Sequence, residues 1–324
     1  MFDGKEYVYA VYKEKSFSKA AQKLYISQPA LSTAIKKVEK KIGKPIFDRS
    51  TNPISLTPSG EIYIEAIEKL FSLEQNTVNQ LNNLNGLIAG SLKLGGTNFY
   101  TSFILPRMLS DFSHTYPKIK IELVEGTTQQ LVEKLLSEDL DLILDNTEFG
   151  DRNYQKYYYD SEHILLAVPR SMEINERLAD CRLTQDEVRA GRNNEPDCPE
   201  LPLEKMEDTP FVTLKDENNL YQRAMAMAQM HNFQPQIILK LDSVVSAFNM
   251  ACSGIGATFI PDGLAKHIAY DVPLYFYRLD EKLSLRRIHF VKKRNKYMTR
   301  AMEEFIRIAV GDEVYETVSS EDAE

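Results

Sequence analysis

Hydrophobic and polar positions change their rhythm three times along the chain. Over residues 16–60 the period is helical: Phe17, Ala20, Ala21 and Leu24 share one face. Leu31, Ile35, Val38 and Ile42 form a second stripe in steps of four, three and four. Ser27 stands between the runs as a helix N-cap, and Pro29 falls in the first turn, where its missing N–H costs little. The pattern predicts two short helices joined by a tight turn, followed by a small basic wing. Thr57-Pro58 then opens a helix predicted to run from Pro58 to about Leu87. Within it Tyr63, Ile67, Leu70, Glu74, Thr77, Leu81, Leu84 and Ile88 recur in steps of four and three, a heptad seam with two polar breaks. The rest of that helix is rich in asparagine (Asn76, Asn79, Asn82, Asn83, Asn85) and cannot bury a wide face, so the seam predicts pairing with a second chain. Gly86 and Gly90 mark the exit.

From Ser91 the rhythm becomes alternating strand and helix. Ser91–Gly96, Lys118–Val124 and Leu140–Leu144 read as strands, with helices from about Phe99 to Tyr116 and over Thr128–Leu136 between them. A second such unit follows, with strands at Pro210–Thr213, Gln236–Lys240 and Gly256–Phe259 and helices at Asn219–His231 and Ser243–Ser253. Such βαβ runs predict parallel sheets covered by helices. Residues 171–209, rich in Glu, Asp, Asn and Pro, read as a long surface excursion. Strands near Leu274–Arg278 and Arg287–Lys292 and a helix over Tyr297–Ala309 are expected to return to the first unit.

Charge sharpens the picture. Residues 1–60 hold eleven Lys or Arg against five Asp or Glu, whereas the whole chain of 324 residues is at −8. A lysine-bearing helix face is usually just solvated, but a basic head on an acidic body is the asymmetry a polyanion partner requires. The face opposite the Leu31–Ile42 stripe carries Gln28, Ser32, Thr33, Lys36 and Lys40, whose amide, hydroxyl and ammonium groups read base edges and neutralise phosphates. The motif is a helix-turn-helix directed at DNA.

These residues resemble the DNA-binding domain of LysR-type transcriptional regulators. The matching positions are Ser16-Phe17, Ala20-Ala21, Leu24, Ser27-Gln28-Pro29-Ala30, Leu31-Ser32, Ile35, Val38-Glu39, Ile42-Gly43, Ile46-Phe47, Arg49, Leu56-Thr57 and Gly60. Lys15 stands where the family often has glycine, and Asn52 where a second wing arginine is frequent. The resemblance implies an all-α winged helix-turn-helix domain (residues 1–58), a linker and dimerisation helix (59–89), and an effector domain (90–324). That domain would be α/β with two subdomains, like periplasmic binding proteins: subdomain I at about 91–164 and 273–310, subdomain II at about 165–272. On this pattern DNA contacts fall to Ser27, Gln28, Pro29, Ser32, Thr33, Lys36, Lys37, Arg49 and Thr57. The expected partners are double-stranded DNA at a two-fold symmetric promoter site, a small-molecule effector, and further copies of the chain. Dimers through the linker helix set two recognition helices a DNA turn or a multiple apart; a tetramer is implied by the resemblance alone.

In open parallel sheets, strand carboxyl ends and helix N-termini converge on one edge. Thr97, Asn98, Phe99, Thr127, Thr128 and Asn146 from one subdomain, with Thr213 and Ser243 from the other, are the expected effector contacts. Each small polar residue among them could equally be an N-cap.

Enzymatic chemistry finds little support. His114, His163, His231, His267 and His289 are scattered, and no GxSxG, P-loop or HExxH occurs. Gly254-x-Gly256 imitates a dinucleotide fingerprint, but Phe259 replaces its third glycine. No catalytic residue, metal or cofactor is expected. A binding protein or α/β enzyme is the rival that would leave the helix-turn-helix idle. A second rival is a redox-responsive regulator acting through Cys181 and Cys198; with Cys252 these are three thiols without a CxxC pair, which fits a reducing compartment. No apolar run is long enough for a membrane span, and the start MFDGKEYVYA lacks a secretory pattern, so a cytoplasmic protein is expected.

Overall fold

Helices α1 (Lys5–Glu14), α2 (Phe17–Lys23) and α3 (Gln28–Ile42) form where the helical stripes lie. Ser16 caps α2 by accepting from the Lys19 amide, and Ser27 caps α3 by accepting from the Ala30 amide at 3.3 Å. Gly43, at φ +79°, ends α3 in the left-handed conformation. Strands β1 (Phe47–Asp48) and β2 (Ser55–Leu56) pair antiparallel as the wing, and α4 (Pro58–Asn83) follows. The computed structural model describes residues 2–51, 53–83 and 90–315 and divides into two units, Met1–Gly86 and Leu87–Glu324.

Leu31, Ile35 and Val38 join Val8, Val11, Phe17 and Ile46 in the core of the first unit. Tyr63 and Ile67 are buried in the same core. Two positions of the expected dimer seam are therefore used inside the chain, because α4 packs on α1, with Glu74 reaching Lys5 at 2.6 Å. Among the described side chains of α4, the large apolar ones left exposed are Ile62, at 72%, and Leu73, at 61%. Leu84, Gly86 and Ile88 lie outside the described residues.

In the second unit the order begins with β3 (Gly90–Gly96), a π turn at Tyr100–Ile104, α5 (Leu105–Thr115), β4 (Ile119–Glu125), α6 (Thr128–Leu136) and β5 (Leu142–Asp145). β3 lies parallel between β4 and β5, as the βαβ pattern requires. The long strand β6 (Tyr154–Pro169) comes next, then α7 (Ile174–Arg177), β7 (Arg182–Leu183), α8 (Gln185–Arg189), β8 (Pro210–Leu214), α9 (Asn219–Met230), β9 (Gln236–Leu241) and α10 (Val244–Cys252). The described chain closes with β10 (Thr258–Pro261), α11 (Asp262–His267), β11 (Leu274–Arg278), α12 (Glu281–Ser284), β12 (Leu285–Lys293) and α13 (Arg300–Val310).

β6 belongs to two halves. Residues Tyr154 to His163 pair antiparallel with β12, which in turn pairs antiparallel with β5. Residues Ile164 to Pro169 pair instead with β10 and β11. This corrects the expected return: β11 ladders with the second half of β6, so the chain crosses back between Leu279 and Leu285, and only β12 and α13 rejoin the first half. The expected parallel pairing is observed for β3 with β4 and β5 and for β8 with β9, whereas every ladder made by β6, β10, β11 and β12 is antiparallel. Residues 171–209 are not a surface excursion either, since Leu178, Cys181, Leu201, Leu203 and Met206 are buried in the second half.

Two backbone positions carry local demands. Lys15 sits at φ +48° between α1 and α2, where glycine would be unstrained. Gly60 lies so close to the wing that an added Cβ would fall 2.1 Å from the Ile46 carbonyl oxygen. Lys15→Gly should stabilise the first unit by about 1 kcal/mol, the left-handed penalty less the entropy glycine adds to the unfolded chain. Gly60→Ala should cost about 1–3 kcal/mol through overpacking. Urea unfolding of the full chain checks both, and an unchanged midpoint for Gly60→Ala contradicts the close approach.

Candidate DNA-binding face and effector cleft

The buried stripe of α3 forces its other residues outward. Gln28, Pro29, Thr33, Lys36 and Lys37 are exposed and Ser32 is half-buried. Ser18 donates to the Gln28 side-chain oxygen at 2.9 Å. Among the described residues Lys36 and Lys37 enter no ion pair, so both ammonium groups remain available to an anionic partner. Ser27 is exposed, but its hydroxyl already caps the helix.

Arg49 and Thr57 are tied into the scaffold. The Arg49 guanidinium lies 5.0 Å over the Phe17 ring and donates to Glu39 at 3.1 Å. The other Glu39 oxygen accepts the Ile46 amide at 2.9 Å, so one carboxylate fixes the wing to α3 and orients the arginine. The Thr57 hydroxyl caps α4 through the Gly60 amide at 3.0 Å and donates to the Pro45 carbonyl at 2.7 Å. Thr57 is thus a structural cap.

In the second unit, Gly96 at the end of β3 is in register with Glu125 of β4 and Leu144 of β5, which brings the expected residues to one edge. Asn98 donates to Glu125 at 3.1 Å, and Ser243 from the other half donates to the Asn98 oxygen at 3.1 Å. Thr97 lends its carbonyl to the Thr101 amide. Thr128 donates its hydroxyl to Asp145 at 2.8 Å, and Asn146 donates to Tyr100 and to Glu162 at 2.7 Å. Thr127 forms a capping box with Gln130. The Phe99 ring is buried so close to Gly263 of α11 that a Cβ there would lie 2.7 Å away, which makes Phe99 packing between the halves. Thr213 is buried near the end of β8, its hydroxyl without a partner among the described residues, and lines a small pocket with Leu220, Tyr221 and Phe259.

Sequence reasoning missed the charged group at the crossing. Glu162 on β6 and Arg286 on β12 are register partners, both buried, with a 2.8 Å ion pair. Tyr100 donates to the same carboxylate oxygen at 3.1 Å, while Glu162 Oε2 and Arg286 Nε have no partner among the described residues. Burial pushes the Glu162 carboxyl up despite the arginine, and burial pushes the Tyr100 hydroxyl well up, keeping it a neutral donor. Two residues so distant in sequence carry no local signal of their pairing.

The thiols do not support the redox alternative. Cys181 and Cys198 are free and buried, and desolvation pushes both upward, away from the reactive thiolate. Cys252 is pushed up to about 11 by burial. Among the described residues there is no group of His, Cys, Asp and Glu able to hold a metal ion, and no helix is long and apolar enough to cross a membrane.

A winged helix-turn-helix with an exposed basic reading face, joined to a two-lobed α/β body, defines a ligand-responsive DNA-binding regulator. Residues 3–61 match the model for bacterial regulatory helix-turn-helix proteins of the lysR family, and residues 85–312 match the LysR substrate binding domain. The chain belongs to the LysR family of transcriptional regulators. It is 24% identical over 304 residues to the HTH-type transcriptional regulator YcgK of Bacillus subtilis, covering 94% of this chain and 92% of that one. A probable RuBisCO transcriptional regulator of Gracilaria tenuistipitata var. liui is 23% identical, with 91% of each chain covered. Two solved structures share the fold. Full-length CbnR complexed with its target DNA has a TM-score of 0.58 at 16% identity, covering 94% of this chain and 96% of that one. A full-length OxyR variant from Pseudomonas aeruginosa has a TM-score of 0.62 at 18% identity, covering 94% and 95%.

The buried pair gives a direct test. Arg286→Met should cost about 3–5 kcal/mol by stranding Glu162, and Glu162→Gln added to it should recover most of that loss. Because the folded pKa of Glu162 lies above the ordinary 4.5, its favourable contribution is present below that value and lost as pH rises through the folded pKa. The wild type should therefore compare best with the double variant at acid pH. Equal losses in the single and double variants contradict the pairing.

Proposed function

We propose that α3 enters the major groove with Gln28, Pro29, Ser32 and Thr33 at base edges. Ser27, Lys36, Lys37 and Arg49 then face phosphates, and Thr57 holds the wing and α4 in place for them. The observation that carries this reading is the outward face of α3, polar and without an ion pair among the described residues at Thr33, Lys36 and Lys37, while Leu31, Ile35 and Val38 on its inner face are buried. Residues 1–58 act as the DNA-binding domain, 59–89 as the linker and 90–324 as the effector domain of a regulator working beside the chromosome in the cytoplasm. Two chains pair through α4, with Ile62 and Leu73 supplying exposed apolar surface for the contact, and bind a two-fold symmetric promoter site. Pairing of such dimers gives a tetramer.

The effector occupies the edge shared by the two halves of the body, touching Thr97, Asn98, Thr128, Asn146, Thr213 and Ser243, with Thr127 and Phe99 holding the walls. The halves meet there through Ser243–Asn98 and through a 3.6 Å pair between Arg223 on α9 and Glu148. A ligand that inserts at this edge changes the angle between the halves, and only its preference for one geometry can shift the regulator.

Lys36→Ala should weaken promoter binding several-fold across all sequences and reduce the slope of log K against log salt by about 1. Gln28→Ala should instead relax the choice of base at one position. Fluorescence anisotropy over a salt series, with a duplex selected from a randomised pool, separates the two. An unaltered slope for Lys36→Ala contradicts its assignment to phosphate.

A further inference from the structure

We infer that Tyr25, in the turn between α2 and α3, is a DNA-backbone contact whose hydroxyl donates to a phosphate oxygen; this rests on the reading of α3 as the groove helix. The turn is built as a helix C-cap. The Tyr25 amide donates to the Gln22 carbonyl at 3.2 Å, and the Ile26 amide reaches back to the Ala21 carbonyl at 3.1 Å, the bond pattern that ends a helix on a left-handed residue. That residue is Tyr25, at φ +56°. Glycine or asparagine takes such a position at little cost, whereas a bulky ring there is an outlier. Among the described non-glycine residues at positive φ, Tyr25 alone is aromatic. Leu24 and Ile26 on either side pack on the core of the first unit, so the residue between them faces out.

Packing does not explain that conformation. Tyr25 is 96% exposed, the most of any large hydrophobic residue among the described ones, and its side chain makes no hydrogen bond, ring contact or ion pair with them. A left-handed aromatic residue that the fold does not use is the kind of local strain that function retains. The residues beyond Ile26, namely Ser27, Gln28, Pro29 and Ala30, are all exposed and open the face assigned to DNA. Lys19 on α2 and Lys36 on α3 enter no ion pair among the described residues, so both helices that the turn joins carry uncommitted cations. A polyanion is the partner that this charge fits. Tyrosine hydroxyls are among the groups that hold phosphate oxygens, a contact that fixes register without reading sequence. The hydroxyl brings no positive charge, so its bond releases no counterion.

The test compares full-length Tyr25→Phe and Tyr25→Gly with the wild type and Lys36→Ala by fluorescence anisotropy over a salt series. Each is measured on a duplex selected from a randomised pool and on an unrelated duplex of the same length. Tyr25→Phe should bind both duplexes about tenfold more weakly, the low end for losing a hydrogen bond to a charged group, with the slope of log K against log salt unchanged. Tyr25→Gly should lose at least as much, yet unfold at a higher urea concentration than the wild type, because glycine fits the left-handed position. Wild-type affinity in Tyr25→Phe overturns the proposal. A loss confined to the selected duplex overturns the phosphate assignment in favour of a base. A lowered urea midpoint for Tyr25→Gly gives the ring a role in folding and overturns the proposal as well. If Lys36→Ala shows a reduced slope while Tyr25→Phe binds normally, only the tyrosine assignment fails; if neither variant departs from the wild type, the placement of α3 fails with it.

Discussion

The fifteen residues of α3 must satisfy core and solvent at once, and the rest of the first unit follows from that constraint. Burying Leu31, Ile35 and Val38 is worth roughly 1.5–3 kcal/mol for each side chain. The helical period of 3.6 residues then leaves Gln28, Thr33, Lys36 and Lys37 no choice but to face outward. Glu39, at the boundary of the two faces, takes the Ile46 amide and the Arg49 guanidinium, so the wing's place is set by the same helix. Gly60 lets α4 begin against the Ile46 carbonyl. A reading head built this way is rigid through packing, and its chemistry is what the core did not use.

The second unit depends on a different economy of connection, a single strand shared by two lobes. β6 runs unbroken from Tyr154 to Pro169, yet its partners change at His163 and Ile164. The buried Glu162–Arg286 pair sits beside that change and spans the two strands that cross there. Asn146 links this pair to the strand-end edge of the first lobe, and Ser243–Asn98 spans the lobes there. The edge between the lobes is therefore within bonding distance of the strands that join them. Burial makes this charged group sensitive to its few partners, because no solvent replaces a lost one.

Much of this was legible in the sequence because periodicity is local. The expected helix over Thr128–Leu136 and the strand at Leu274–Arg278 are observed at those residues, and the caps Ser27 and Thr57 fulfil the hydrogen bonds their positions promise. The misreadings share one cause, which is that partners are chosen at long range. A heptad seam and a core stripe have the same spacing, so Tyr63 and Ile67 could not reveal that α1 covers them. β11 has a strand's pattern in either lobe, and only its ladder with β6 decides which. Residues 171–209 look polar in composition, but Leu201, Leu203 and Met206 are enough to anchor them. At the strand-end edge, that these residues gather was legible, whereas what each one does there was not: Phe99 and Thr127 are committed to packing and capping.

The central claim is that the outward face of α3 lies against operator bases, and site-directed photocrosslinking tests it most directly. A benzophenone-bearing residue placed at Thr33, with a control at the exposed Asn232 of the second unit, would be irradiated on a duplex selected by the protein itself. The account predicts a covalent DNA adduct from position 33 mapped to bases inside the protected site, and none from position 232. Full retention of DNA binding with no adduct from position 33 would contradict it.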